Sequence, residues 1–118
     1  MVLIVEDDEA SYQYLNTVLK KSGLKSIWAT DGKQAINLCL ENPKVNLILM
    51  DINLPVMNGY EATKKIKEIF PNLPIIAQTA YAISGDREKV SESGCDDYIS
   101  KPISQETLIQ KISKYLKN

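Results

Sequence analysis

The sequence predicts an α/β fold, a five-stranded parallel sheet doubly wound with helices on both faces. Two apolar runs without alternation, Val2-Leu3-Ile4-Val5 and Leu47-Ile48-Leu49-Met50, have the pattern of strands covered on both sides, as at the centre of a parallel sheet. Both run directly into acid, Glu6-Asp7-Asp8-Glu9 after the first and Asp51 after the second. Around them, short strand-like runs alternate with segments of helical spacing, which calls for crossover connections rather than hairpins.

Taken in order, strand one is residues 2–5, and Asp8 is placed to cap the helix that follows. That helix puts Tyr14, Leu15, Val18 and Leu19 on one face, closes with Lys20 and Lys21 at its negative end, and stops at Gly23. Ser26-Ile27-Trp28-Ala29 forms strand two and Thr30-Asp31-Gly32 a turn. Ala35, Ile36, Cys39 and Leu40 line the inner face of a second helix that ends before Pro43. Strand three is Leu47 to Asp51. Asp51 stands seven positions before Asn58, too early to cap the third helix; Asn58, with Glu61 three residues on, resembles a capping box. The third helix, starting near Tyr60, turns Ala62, Ile66, Ile69 and Phe70 inward until Pro71. Ile75-Ile76-Ala77-Gln78 is strand four and ends in Thr79. Residues 84–93 are polar apart from Val90, so a helix there buries little. Asp97-Tyr98-Ile99-Ser100 is strand five and leads into Lys101-Pro102. A last helix, capped by Ser104, buries Leu108, Ile109, Ile112, Tyr115 and Leu116 and ends among Lys111, Lys114 and Lys117.

For so short a chain the flavodoxin-like strand order 2-1-3-4-5 is the natural arrangement. Strands one and three are then central neighbours. Glu6, Asp7 and Asp51 converge at the carboxyl edge, where open α/β sheets bind ligands, and Thr79 and Lys101 arrive there from strands four and five.

Composition narrows the chemistry. A length of 118 residues suits one domain, spanning residues 1–118, and 44% hydrophobic with 25% charged residues is the balance of an ordinary globular protein. No apolar run approaches membrane-spanning length, which argues against membrane insertion, and no signal peptide is visible. Cys39 and Cys95 lack CxxC spacing and read as reduced thiols of a cytoplasmic protein. A net charge of −1 argues against direct nucleic-acid binding. Histidine is absent, which removes Ser-His-Asp and Cys-His catalysis, His-dependent zinc sites and any role as a phosphohistidine carrier.

Carboxylates gathered in one cleft repel: two unit charges 4 Å apart cost about 4 kcal/mol at an effective dielectric of about 20. Lys101 can neutralise one charge, and a hard divalent cation offsets the repulsion better, so the cluster reads as a Mg²⁺ site. A metal, an ammonium and a hydroxyl around a carboxylate suit phosphoryl transfer onto that carboxylate, with Asp51 as nucleophile. A haloacid dehalogenase type of phosphatase fits less well, because Asn53 stands where its Asp-x-Asp motif has a second Asp and no cap domain is present. A flavodoxin-like FMN carrier fits worse, since Glu6-Asp7-Asp8-Glu9 would repel the phosphate.

Val2-Leu3-Ile4-Val5-Glu6-Asp7, Leu49-Met50-Asp51-Ile52-Asn53-Leu54-Pro55, Met57-Asn58-Gly59, Thr79-Ala80 and Tyr98-Ile99-Ser100-Lys101-Pro102 together resemble the response-regulator receiver domains of two-component signalling. The likeness covers essentially the whole chain. It implies a phosphoacceptor signalling domain, not an enzyme in its own right, that assists its own phosphorylation and dephosphorylation. Asp51 then takes a phosphoryl group from a histidine kinase or histidine phosphotransfer protein. Asp7, Asp51 and the Asn53 backbone carbonyl bind Mg²⁺, with Glu6 helping through water. Thr79 and Lys101 contact the phosphoryl oxygens, Tyr98 reports the state of the site, and the Lys101-Pro102 bond is cis. Glu6 and Asn58 stand where many members have Asp. The chain begins at strand one and ends with the last helix, so no output domain is expected on it. Residues 55–61 look most like receivers of hybrid sensor kinases, as in a piece cut from a longer protein. The weakly apolar segment 84–93, between Thr79 and Tyr98, is the expected switch, read on the face it forms with strand five and the last helix.

Overall fold

The computed structural model describes residues 1–79, 92 and 94–116. The helix expected over 84–93 lies outside them except for Glu92, as do Ala80 and Lys117. The described chain forms β1 (Val2–Val5), α1 (Glu9–Lys21), β2 (Ser26–Ala29), α2 (Gly32–Glu41), β3 (Leu47–Asp51), α3 (Gly59–Ile69), β4 (Ile75–Thr79), β5 (Asp97–Ser100) and α4 (Gln105–Tyr115). All neighbouring strands run parallel, in the order β2-β1-β3-β4-β5. That is the expected topology, and the strand limits match the sequence expectation.

The unbroken apolar runs are explained by a core on each side of the sheet. Ile4, Leu49 and Ile76 face Leu15 and Leu19 of α1 and Leu108 and Ile112 of α4. Leu3, Val5, Ile48 and Met50 face Ala35 and Cys39 of α2 and Ala62 and Ile66 of α3. Each fully buried aliphatic side chain contributes about 1.5–3 kcal/mol, so the central strands anchor the molecule. Burial also pushes the Cys39 thiol up to about 11, leaving it a packing residue.

Local signals held where they depend on neighbouring residues alone. The side chains of Asp8, Asn58 and Ser104 each accept a backbone N–H three residues on, capping α1, α3 and α4. Asp31, expected in a turn, likewise caps α2 by accepting the Gln34 N–H. Several inner faces are narrower than periodicity suggested. Tyr14, Leu40 and Ile69 are exposed, whereas Thr63 is buried. In α4 only Leu108 and Ile112 are fully buried, while Ile109, Tyr115 and Leu116 pack at the margin.

Candidate functional site

Parallel register assembles the site. Val5 pairs with Met50, which brings the next residues, Glu6 and Asp51, side by side, and Asp51 pairs with Gln78. Partners in register share a face of the sheet, so Glu6, Asp51 and Gln78 stand in a row above Ile4, Leu49 and Ile76, on the side covered by α1 and α4. Thr79 pairs with Ser100, and the Lys101 N–H donates to the Thr79 carbonyl at 2.8 Å. Lys101 thereby enters from β5 through Lys101-Pro102, which is cis.

Asp51 is 3% exposed, and both its oxygens have donors. Lys101 Nζ donates to Oδ2 at 3.1 Å and the Asn53 N–H to Oδ1 at 3.1 Å. Lys101 Nζ also lies 3.7 Å from Glu6 Oε1, while the Asp7 N–H donates to Glu6 Oε2 at 3.1 Å. Burial first, and the Asp51 carboxyl second, push Glu6 up to about 8 against the opposing pull of Lys101. Burial and the neighbouring Asp51 carboxyl thus both disfavour the charged form of Glu6. Asp7, in contrast, is exposed. Asp8 is held below the usual carboxylate range by its bonds from Ser11. One oxygen from each of Glu6, Asp7 and Asp51 lies within 4.8 Å of the others, a spacing and a hard-oxygen chemistry that suit Mg²⁺.

Two supports were not legible in the sequence. Trp28, at the edge strand β2, donates its indole N–H to the Glu6 carbonyl at 2.7 Å, its ring stacked on Tyr12 with centroids 4.2 Å apart. Gln78, read from sequence as an ordinary strand residue, is buried in the acid row with its Nε2 unpartnered among the described residues. No one-dimensional signal marks either, since both placements depend on how neighbouring strands stand in register. The loop leaving Asp51 is pinned by Ile52 N–H to the Gln78 carbonyl and Gly59 N–H to the Ile52 carbonyl. A Cβ on Gly59 would stand 2.3 Å from the Asp51 carbonyl oxygen, so only glycine lets α3 start this close.

Thr79 and Tyr98 belong to the other side of the sheet. Tyr98 pairs with Ala77, two residues before Thr79, and packs with Ile52, Ala77, Tyr60 and Cys95. The Lys111 ammonium sits 5.4 Å from its ring centroid and 2.7 Å from Asp97. Glu6, Asp7, Asp51, Asn53 and Lys101 are thus brought together, Thr79 joins them through the Lys101 backbone, and Tyr98 stands behind the sheet.

The sequence profile of the response regulator receiver domain matches residues 2–113. The chain belongs to the response-regulator receiver family. This receiver domain is 41% identical over 117 residues to the polar-differentiation response regulator DivK of Brucella anthropi, covering 98% of this chain and 94% of that one. It is 42% identical over 120 residues to hybrid signal transduction histidine kinase I of Dictyostelium discoideum, where 95% of this chain corresponds to 7% of the kinase. Among solved structures, it is similar to the receiver domain of the Pseudomonas aeruginosa sensor histidine kinase PA1611. The TM-score is 0.89 at 34% identity over 99% of this chain and 97% of that one, whose active-site cleft coordinates magnesium. It is also similar to the receiver domain of Saccharomyces cerevisiae Ssk1, crystallised with the histidine phosphotransfer protein Ypd1, with a TM-score of 0.90 at 33% identity over 97% of this chain and 86% of that one. A receiver domain of two-component signalling is therefore the fold and the functional class.

Proposed function

We propose that Asp51 is the phosphoacceptor of this receiver domain. The observation that carries this reading is a buried carboxylate bonded to the Lys101 ammonium at 3.1 Å, with oxygens of Glu6 and Asp7 within 4.8 Å of one of its own. The donor is a phosphohistidine on a histidine kinase or histidine phosphotransfer protein. An Asp51 oxygen forms the new P–O bond as the donor's P–N bond breaks, and the electron pair stays on the imidazole nitrogen. Asp7, Asp51 and the Asn53 carbonyl would hold Mg²⁺, with Glu6 contributing through water. That ion supplies charge neutralisation at the phosphoryl oxygens. Lys101 orients the same oxygens from β5, and the Thr79 hydroxyl supplies a donor from β4. The domain is a phosphoacceptor that assists its own loading and unloading, and residues 1–118 act as one unit in the cytoplasm, alone or within a hybrid kinase. Loading is read on the face built from β5, α4 and the segment between Thr79 and Tyr98.

Intact mass spectrometry after incubation with a small phosphodonor tests this. A single phosphoryl group should be gained with Mg²⁺, lost when Mg²⁺ is chelated, and absent in Asp51→Asn. Undiminished phosphorylation of Asp51→Asn would move the acceptor elsewhere.

A further inference from the structure

A cleft of about 500 Å³ opens between α1 and the turn from β5 into α4, with Glu6, Gln78 and Lys101 among its walls beside apolar Leu15, Pro102 and Ile103. Gln78 is 1% exposed, and its Nε2 is buried with no acceptor among the described residues. Leaving such a donor unpaired costs stability, and a core position has no use for it. The residue beneath Gln78 on the same strand and face is Ile76, so an apolar side chain of similar size would suit this position. The amide therefore calls for a state of the molecule in which it is paired.

The neighbouring acceptors identify that state. Asp51 has donors on both oxygens, and Glu6 Oε2 accepts the Asp7 N–H. Glu6 Oε1 faces the Lys101 ammonium at 3.7 Å, beyond a good hydrogen bond. If Asp51 is the phosphoacceptor, loading removes this contact. Lys101 is drawn to the phosphoryl oxygens, and the Asp51 carboxyl becomes an acyl phosphate. Glu6 Oε1, still buried, then loses the Lys101 ammonium.

We propose that Gln78 is a positioning residue of the phosphoacceptor site, its side-chain amide donating to Glu6 when Lys101 turns to the phosphoryl group on Asp51. This rests on the assignment of Asp51 above. Gln78 touches neither the phosphoryl group nor the metal in this scheme; it holds Glu6 in place in the loaded state and is unpaired in the unloaded one. The unloaded domain carries the cost, which biases the equilibrium toward the loaded arrangement.

The test is nuclear magnetic resonance of the ¹⁵N-labelled chain with Mg²⁺, before and after beryllofluoride, with the Gln78 side-chain amide assigned by its absence from Gln78→Met. On loading, the Gln78 amide signals should move downfield together with the backbone signals of Thr79 and Lys101. Gln78→Met should bind beryllofluoride about tenfold more weakly, the effect of one hydrogen bond to a charged group. Its affinity for Mg²⁺ alone should stay within about twofold of the parent, and unloaded it should melt at a higher temperature, which a purely structural role would not couple to weaker loading. Unmoved Gln78 amide signals beside shifting Thr79 and Lys101 signals would overturn the role of Gln78 while leaving Asp51 as acceptor. So would unchanged beryllofluoride affinity in Gln78→Met. If no signal near Asp51 responds, the acceptor assignment fails and the role of Gln78 fails with it.

Discussion

A glutamate in water is ionised at neutral pH, yet Glu6, 1% exposed and pressed against Asp51, is pushed up to about 8. Its folded value lies above its unfolded one, so the folded state binds the extra proton. The resulting stability is fully present below about pH 4.5 and is lost as pH rises through about 8. The metal-free domain should accordingly show a melting temperature that falls between pH 5 and 8.5, assay limits of about that span, and Glu6→Gln should flatten the slope. An equal slope in both proteins would show that Glu6 is not the group responsible. Asp7, by contrast, is exposed, so holding a cation there would cost it little desolvation. Asp7→Asn should weaken Mg²⁺ binding by about tenfold or more in calorimetry, because a charged ligand is replaced by a neutral one. These two acids are adjacent and alike in sequence, yet just beyond the end of β1 one is buried and the other exposed.

At the scale of elements, caps are local events and were legible: Asp8, Asn58 and Ser104 all accept the expected N–H. Replacing Asp8 by Ala should lower the midpoint of denaturant unfolding, since it removes the cap of α1. The inner faces were less legible. Tyr14 lies at 44% exposure on α1 because its hydroxyl donates to the Ile103 carbonyl across the cleft, an attachment 89 residues away in sequence. Leu40 and Ile69 stand near the ends of α2 and α3 and are about half exposed, so helical spacing there does not mark a buried face. Gly59 shows the reverse, a residue that looks like ordinary loop punctuation but sits where a methyl group would collide with the Asp51 carbonyl. Gly59→Ala should destabilise the domain by about 1–3 kcal/mol and weaken Mg²⁺ binding together, since the strain falls on the Asp51 backbone. A stable variant with normal Mg²⁺ affinity would show that α3 can shift without disturbing β3.

For the whole molecule, the acid cluster and the Tyr98 ring lie on opposite sides of one sheet. Asp51 and Lys101 belong to the side under α1 and α4, and Tyr98 to the other, with Lys111 of α4 set between the Tyr98 ring and Asp97 at the start of β5. Burial alone would raise Asp97, but the bonds from Lys111 and from the Tyr98 N–H outweigh it and hold it below the usual carboxylate range. That link therefore stabilises above the unfolded value of 3.8 and is lost as pH falls through the lower folded one. Amide hydrogen exchange with and without beryllofluoride should show altered protection concentrated in residues 80–100. Changes confined to residues 30–45 would place the reading face at α2 instead.

Strand identity, strand order and the acid cluster at the carboxyl edge were determined by the sequence alone, because unbroken apolar runs and chain connectivity leave a parallel sheet few arrangements. So were the caps and the participation of Asp51 and Lys101, whose places at the ends of adjoining elements carry them to one edge. What only the tertiary structure decided is how neighbouring strands stand in register. Register sets Gln78 beside Asp51 with an amide unpartnered among the described residues, brings the Trp28 indole to the Glu6 carbonyl, buries Glu6 while leaving Asp7 exposed, and puts Tyr98 behind the sheet from the acids. The physical reason is that burial and hydrogen bonding depend on which side chains meet across strands. A one-dimensional pattern records spacing along a strand and carries no record of what lies across it.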